Sequence, residues 1–216
     1  MREVAVVGAG IVGAATAREL AVRGVDVILL DAGEVSGGTT GLGEGNVLCS
    51  DKDAGPELDL CVHGLAMYDE LEERLGDEAR IRRKGALIVH TDEATWAAEP
   101  ARLSRLAADG VPGRPVAADE VAALEPELTG PVAGASHFPA DLQCDPREIT
   151  RALAREAAAA GAEVRTGARV EALSRAAAPA GTGGRTTPVG PVAAGGRVDG
   201  VVLAGGERIA AGAVVV

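Results

Sequence analysis

Apolar residues come in short blocks at the two ends of the chain and at helical spacing between them. Val4–Val7 and Val25–Leu30, the second broken only by Asp26, are apolar at almost every position, the pattern of parallel strands covered on both faces. Between them Ala14, Ala17, Leu20 and Ala21 fall on one helical face, and Gly24 ends that helix. Leu58, Cys61, Val62, Leu65, Tyr68, Leu71 and Leu75 predict a helix over 55–75, with Pro56 in its first turn and Asp69–Glu73 on its solvated side. Gly85–Thr91 reads as a strand, and Asp92 as the cap of a helix reaching about Asp109. A short helix over Asp119–Glu125 stops before Pro126, and Ala133–Phe138 forms another strand.

Asp145-Pro146-Arg147-Glu148 is a strong helix start: an acid at the cap, proline at the first position, and Glu three after the cap. That helix ends at Gly161, and Ala162–Arg165 follows as a short parallel strand. Arg169–Leu173 and Val198–Leu203 read as antiparallel strands. The stretch between them, 176–196, is rich in Gly, Pro, Ala and Thr and is expected to be a mobile loop. Glu207–Ala210 adds a third strand, and Ala213–Val216 is expected to be a buried parallel strand. Such a strand calls for a crossover after it, so the sequence is expected to be a fragment of a longer polypeptide.

The strand–turn–helix–strand unit at the N-terminus carries more than a fold. Gly8, Gly10 and Gly13 stand at G-x-G-x-x-G spacing, and Asp31 ends the next strand. This is the dinucleotide fingerprint in its required setting. Gly8 permits the tight turn, Gly10 lets a pyrophosphate approach bare backbone, and Gly13 lets the helix lie close on the strand. The helix N-terminus offers free N–H groups and partial positive charge to phosphates. Asp31 can accept from ribose hydroxyls and repels a 2′-phosphate, which argues against NADP. After it, residues 32–46 run as an extended stretch of glycines and hydroxyls, with Thr39, Thr40 and Asn46 among them. Such a loop suits a long ligand lying along it.

Composition narrows the partners. A net charge of −11 argues against non-specific binding to nucleic acid or anionic membranes, and no apolar run approaches a membrane span. Aromatic residues are 1% of the chain, so the core is Val, Leu and Ala. Cys49, Cys61 and Cys144 form neither a disulfide framework nor a metal motif, and the three histidines are scattered. Reduced thiols of a cytoplasmic protein are the expectation.

With these residues in view, the chain resembles the FAD-dependent D-amino-acid oxidase / glycine oxidase family. The likeness rests on Val4–Asp31, the loop Gly37–Asn46, the segment Phe138–Leu153, Gly161–Val164 with Val170, and Ala213–Val216. Within the family it is most similar to sarcosine-oxidase-type members and to opine or hydroxyproline dehydrogenase β-subunits. The resemblance matches about the N-terminal half of a member, which implies that the C-terminal half is missing. It implies a Rossmann-like FAD-binding parallel sheet over 1–49 and 144–216, with part of an antiparallel-sheet substrate subdomain inserted over 50–143.

By position it also implies the cofactor contacts. Gly8, Gly10 and Gly13 would form the turn, and Ile11 and Val12 would present N–H groups to the pyrophosphate. Asp31 and Ala32 would meet the AMP ribose and adenine, and Thr39 and Thr40 the phosphate and ribityl oxygens. Glu44, Gly45 and Asn46 would run beside the isoalloxazine, with Glu44 a departure from the small residue common there. Val170 would bond adenine through its backbone. The family's substrate-gripping Arg and Tyr have no counterpart here, so the catalytic residues are expected beyond residue 216.

The implied reaction is oxidation of the C–N bond of a small amino acid or N-substituted amino acid such as glycine, sarcosine, a D-amino acid or hydroxyproline. Hydride would pass to flavin, water would hydrolyse the imine, and oxygen or a partner subunit would take the electrons. Two alternatives stand beside it: an FAD-dependent 2-hydroxy-acid dehydrogenase, and a truncated chain that catalyses nothing.

Overall fold

The structure, a computed structural model, describes residues 1–176, 187–188 and 197–216. The chain opens with β1 (Arg2–Val7), α1 (Ile11–Ala21) and β2 (Val27–Leu30), then a single 3-10 turn at Thr39–Leu42. Next come β3 (Asn46–Val47), α2 (Pro56–Leu75), β4 (Ala86–His90), α3 (Glu93–Ala108), β5 (Arg114–Ala117), α4 (Ala118–Leu124), β6 (Gly134–Phe138) and β7 (Leu142–Gln143). The chain continues with α5 (Pro146–Ala159), β8 (Glu163–Arg165), β9 (Val170–Arg175), β10 (Thr187–Pro188), β11 (Val198–Leu203) and β12 (Arg208–Val215). It divides into two compact units, Met1–Glu44 with Pro146–Val216, and Gly45–Asp145.

The first unit is built on a sheet of order β10-β9-β11-β12-β1-β2-β8 among the described residues. The four strands from β12 to β8 pair in parallel, and those from β10 to β12 antiparallel. β2 is buried at all four positions because alternate side chains feed two cores. Ile28 and Leu30 pack with Ala5, Val201, Ile209 and Ala211 on one face. Val27 and Leu29 pack with Val6, Ala17, Ala21 and Ala157 on the other, under α1 and α5. The alanines on both helices keep them close to the sheet.

Three expectations need correcting. Glu207–Ala210 and Ala213–Val216 are parts of one continuous strand, β12, antiparallel to β11 at Arg208–Ala210 and parallel to β1 from Ala211. Its end is not buried on both faces: Val214 packs on the first core, while Val215 and Val216 are 39% and 74% exposed. The reason is that only one face of β12 meets apolar neighbours. Nor is the stretch after Asp31 extended throughout, since it tightens into the turn at Thr39–Leu42. The segment expected to be a mobile loop, 176–196, lies outside the described residues except for Ala176 and β10.

The second unit has a three-stranded antiparallel sheet, β4-β6-β5, and the short pair β3–β7. Leu58, Leu103, Leu106, Val111 and Phe138 form one apolar cluster, and Val116, Val121 and Ala135 another. Asp92 caps α3 by accepting from the Thr95 N–H at 2.9 Å. The same helix buries Glu99, whose carboxylate accepts from Ser136 Oγ at 2.7 Å and from Arg102 Nη1 at 2.9 Å. His90 Nε2 lies 3.5 Å from its other oxygen. Trp96 packs flat against β6 at Gly134, where a Cβ would stand 2.5 Å from the indole.

Among the described residues no helix is long and apolar enough to cross a membrane, and no three His, Cys, Asp or Glu groups converge as metal ligands.

Candidate functional site: a dinucleotide cradle

The site grows from the end of β1. Gly8 takes φ +102°, a conformation that favours glycine, and its N–H donates to the Leu30 carbonyl at 2.7 Å. Gly10 caps α1 without a side chain, and the first turn of α1 carries no acid to neutralise its partial positive charge. A Cβ at Gly13 would lie 1.8 Å from the Gly8 carbonyl oxygen, so only glycine lets helix and turn close. Ile11 N–H donates to Thr40 Oγ1 at 3.1 Å, and a Cβ at Gly10 would meet that oxygen at 2.9 Å. The hydroxyl therefore sits where the bare backbone leaves room for an acceptor oxygen. A cleft of about 320 Å³ lies here, lined by Gly10, Ile11, Val12, Thr16, Thr40 and Val215.

Asp31 is fixed at the far end. Its Oδ2 accepts from Ala9 N–H at 2.6 Å and its Oδ1 from Gly33 N–H at 2.7 Å. Each oxygen keeps a lone pair for a hydroxyl donor. The main-chain carbonyl of Asp31 accepts from Ala168 N–H at 2.7 Å, and that of Gly33 from Gly167 N–H at 3.0 Å, so the stretch leading into Val170 runs beside this segment. Val170 starts β9, and Ala32 is exposed next to Asp31.

The glycine-rich stretch is fastened, not loose. Ser36, buried at φ +61°, donates its N–H to the Ala9 carbonyl at 2.9 Å. Thr40 meets Ile11, and the Gly41 carbonyl accepts from Arg147 Nε at 2.7 Å. Arg147, in the first turn of α5, is a positioning residue that the sequence reading noticed only as part of a helix start. Thr16 and Ser36 were given no role there either. Ser36 is placed by a contact distant in sequence, whereas Thr16 reaches the cleft from α1 itself, its hydroxyl donating to the Val12 carbonyl at 2.8 Å.

The structure thus gathers Gly8, Gly10, Ile11, Val12, Gly13, Asp31, Ala32, Thr40 and Val170 into one unit. Thr39 is exposed at the start of the turn, and Glu44 closes the unit's first segment. Gly45 and Asn46 belong to the second unit. There Asn46 lines a cavity of about 590 Å³ together with Leu48, Lys84, Leu87, Val89 and His137.

Bare helix-start backbone, a close approach at Gly13 that no Cβ allows, a hydroxyl against Gly10 and a fixed acid suit a dinucleotide carrying a pyrophosphate. The sequence pattern of the family described as FAD dependent oxidoreductase, DAO, matches residues 3–213. The chain belongs to this family. Its cofactor is FAD, and its fold is the mixed parallel and antiparallel α/β fold of that family's FAD-binding members.

A curated glycine oxidase from Geobacillus kaustophilus is 29% identical over 167 residues, covering 74% of this chain and 44% of the relative. A glycerol 3-phosphate dehydrogenase from Caloramator mitchellensis is 27% identical over 168 residues, covering 76% and 35%. The crystal structure of the Geobacillus kaustophilus glycine oxidase superposes with a TM-score of 0.79 at 26% identity, covering 99% of this chain and 54% of that one. The chain therefore spans about half the length of the solved relative and less of the curated ones.

Proposed function

We propose that this chain is the cofactor-gripping part of an oxidoreductase that oxidises the C–N bond of a small amino acid or N-substituted amino acid. The observation that carries the reading is the cradle itself: the uncapped start of α1, closed over Gly13 and facing Thr40. The likeness to glycine oxidase supports the amine substrate.

In this reading the N–H groups of Ile11 and Val12 hold the pyrophosphate, with Thr39 and Thr40 on phosphate and ribityl oxygens. Asp31 and Ala32 take the AMP ribose and adenine, with the Val170 backbone on the adenine edge. Glu44, Gly45 and Asn46 pass beside the isoalloxazine. Bound FAD supplies the acceptor for the hydride leaving the α-carbon. The substrate is placed in the cavity beside Asn46, where Leu48, Leu87 and Val89 alternate with Lys84 and His137, and the imine product is hydrolysed after release. No residue of this chain is given a catalytic role, and we expect no turnover from these 216 residues alone, since relatives are about twice as long. Oxygen or a partner subunit takes the electrons, and the cytoplasm is the proposed setting on the ground of three free thiols.

A second reading has its own support. The glycerol 3-phosphate dehydrogenase relative favours oxidation of a C–O bond, as in a 2-hydroxy acid or a related alcohol. Anaerobic bleaching of the full-length flavoprotein separates the two. Glycine, sarcosine, D-amino acids or hydroxyproline should bleach the flavin; bleaching only by hydroxy acids or glycerol 3-phosphate overturns the amine reading. For the grip alone, excess FAD should leave a yellow chromophore on the purified chain and raise its Tm. Neither effect appearing would remove the proposed role from these residues.

A further inference from the structure

The cavity of about 590 Å³ in the second unit has charges in its lining that the cofactor grip does not use, and every residue that lines it belongs to this unit. One wall is a face of the antiparallel sheet. Leu87 and Val89 stand two apart on β4, so they share that face, and His137 lies opposite Leu87 in the register. The His137 ring covers Gly85, which takes φ +71° and where a Cβ would come within 2.8 Å of Nε2. Leu124, 47% exposed at the end of α4, adds an apolar rim. Exposed Lys84 enters from just ahead of β4, and exposed Glu125 and Glu127 from the loop after α4. Among the described residues none of these three charges has an ion-pair partner, whereas Arg114, opposite His137 on β5, is held by Glu120 at 2.7 Å. Lys84 is thus the cation that this lining leaves open to a ligand.

We propose that Lys84 is a specificity-determining residue: its ammonium holds a carboxylate of the substrate while the aliphatic body of the same molecule lies along Leu87, Val89 and Leu124. A charge-assisted hydrogen bond to an ammonium suits a carboxylate, and no protein acid competes for Lys84 at contact distance. Glu125 and Glu127 face the same space, so a ligand with two negative charges is disfavoured, and one that carries an amine beside its carboxylate matches the lining. The size of the cavity selects as well. It falls in the range of sites that enclose ligands much larger than glycine, and glycine or sarcosine would leave most of the apolar wall wet. The fitting substrate is an amino acid, or an N-substituted one, with a branched or extended aliphatic group. The inference rests on the reading that the substrate occupies this cavity; it does not depend on whether a C–N or a C–O bond is oxidised.

Binding to the purified chain tests this without any turnover. Calorimetric titrations use D-leucine, glycine, which lacks the aliphatic body, and 3-methylbutylamine, which lacks the carboxylate. D-leucine should bind saturably, with glycine weaker by about four-fold for each buried methylene it lacks. Lys84→Gln should weaken D-leucine by about five-fold, the scale of an exposed ion pair, and leave the amine no weaker; Lys84→Arg should keep most of the affinity. In the NMR spectrum D-leucine should also move the His137 imidazole signal, identified by its absence in His137→Gln. No saturable binding of D-leucine, equal affinity for glycine or for the amine, an unmoved His137 signal, or an unchanged Kd in Lys84→Gln overturns the assignment. Those results leave the amine reading to the flavin-bleaching experiment. Bleaching by hydroxy acids alone would instead sink the amine reading and leave the Lys84 subsite in place.

Discussion

In the first unit most of the donors that shape the site belong to the main chain, whereas the polar centre of the second unit is made of side chains. The cradle uses the N–H groups of Gly8, Ala9, Ile11 and Gly33, all close to one turn of sequence and one acid. The second unit buries the Glu99 carboxylate among Ser136, Arg102 and His90, gathered from β6, α3 and β4. Main-chain donors need only the right backbone, so glycines at fixed spacing are enough to build them. A side-chain network needs several elements folded first. Its failure is expected to be a failure of stability, and failure of the cradle one of ligand grip.

That contrast can be broken by mutation. The largest effect is expected from Glu99→Ala, which leaves the buried Ser136 hydroxyl without its acceptor and Arg102 without its carboxylate, although it keeps the Ser50 carbonyl. It should cost about 3 kcal/mol in urea unfolding, the scale of a broken buried pair, while leaving FAD affinity unchanged. A loss below about 1 kcal/mol would show that the network holds nothing. Next comes Gly13→Ala, which drives a Cβ into the Gly8 carbonyl. It should cost about 1–3 kcal/mol, the range for overpacking, and abolish the yellow complex with FAD. Retained FAD affinity would refute the cradle's role.

Arg147→Ala tests the fastening of the turn. Loss of the bond to the Gly41 carbonyl should cost about 1.5 kcal/mol and weaken FAD several-fold in a fluorescence titration. The smallest effect should come from Asp92→Asn. Hydrogen bonds from Thr95 hold the Asp92 carboxyl below its usual range. A lowered folded value means that its contribution is full above the ordinary carboxylate pKa and lost as pH falls through the folded one. The variant should therefore melt slightly below the unsubstituted protein near neutrality and match it in strong acid. A difference that persists in acid would assign the effect to the amide, not the charge.

The same contrast explains what could be read in advance. β1, α1 and β2 carry local signals, namely apolar runs, glycine spacing and an acid at the strand end, and the helix starts at Pro56, Asp92 and Pro146 are local as well. The family follows from that density of local signals. The fastening of Ser36 to Ala9 and of Arg147 to Gly41 has no such trace, because each joins residues that only the finished fold makes neighbours. β5 was missed for a similar reason. Its Arg114–Ala117 is too short and too polar to show alternation, and it is a strand only because β6 lies beside it. The end of β12 looked buried because its residues are apolar; which of its faces finds neighbours is a tertiary matter.

One consequence concerns the order of synthesis. β1 leaves the ribosome well before β12, its parallel neighbour, which pairs Ala211 with Arg2. Until that late strand arrives, β1 has β2 on one side and an unpaired edge on the other, a template for adventitious strand pairing. Nascent chains stalled before Arg208 should therefore exchange the amides on the open edge of β1 freely. Chains stalled after Val215 has emerged should protect them, so that β12 decides when β1 becomes safe from aggregation.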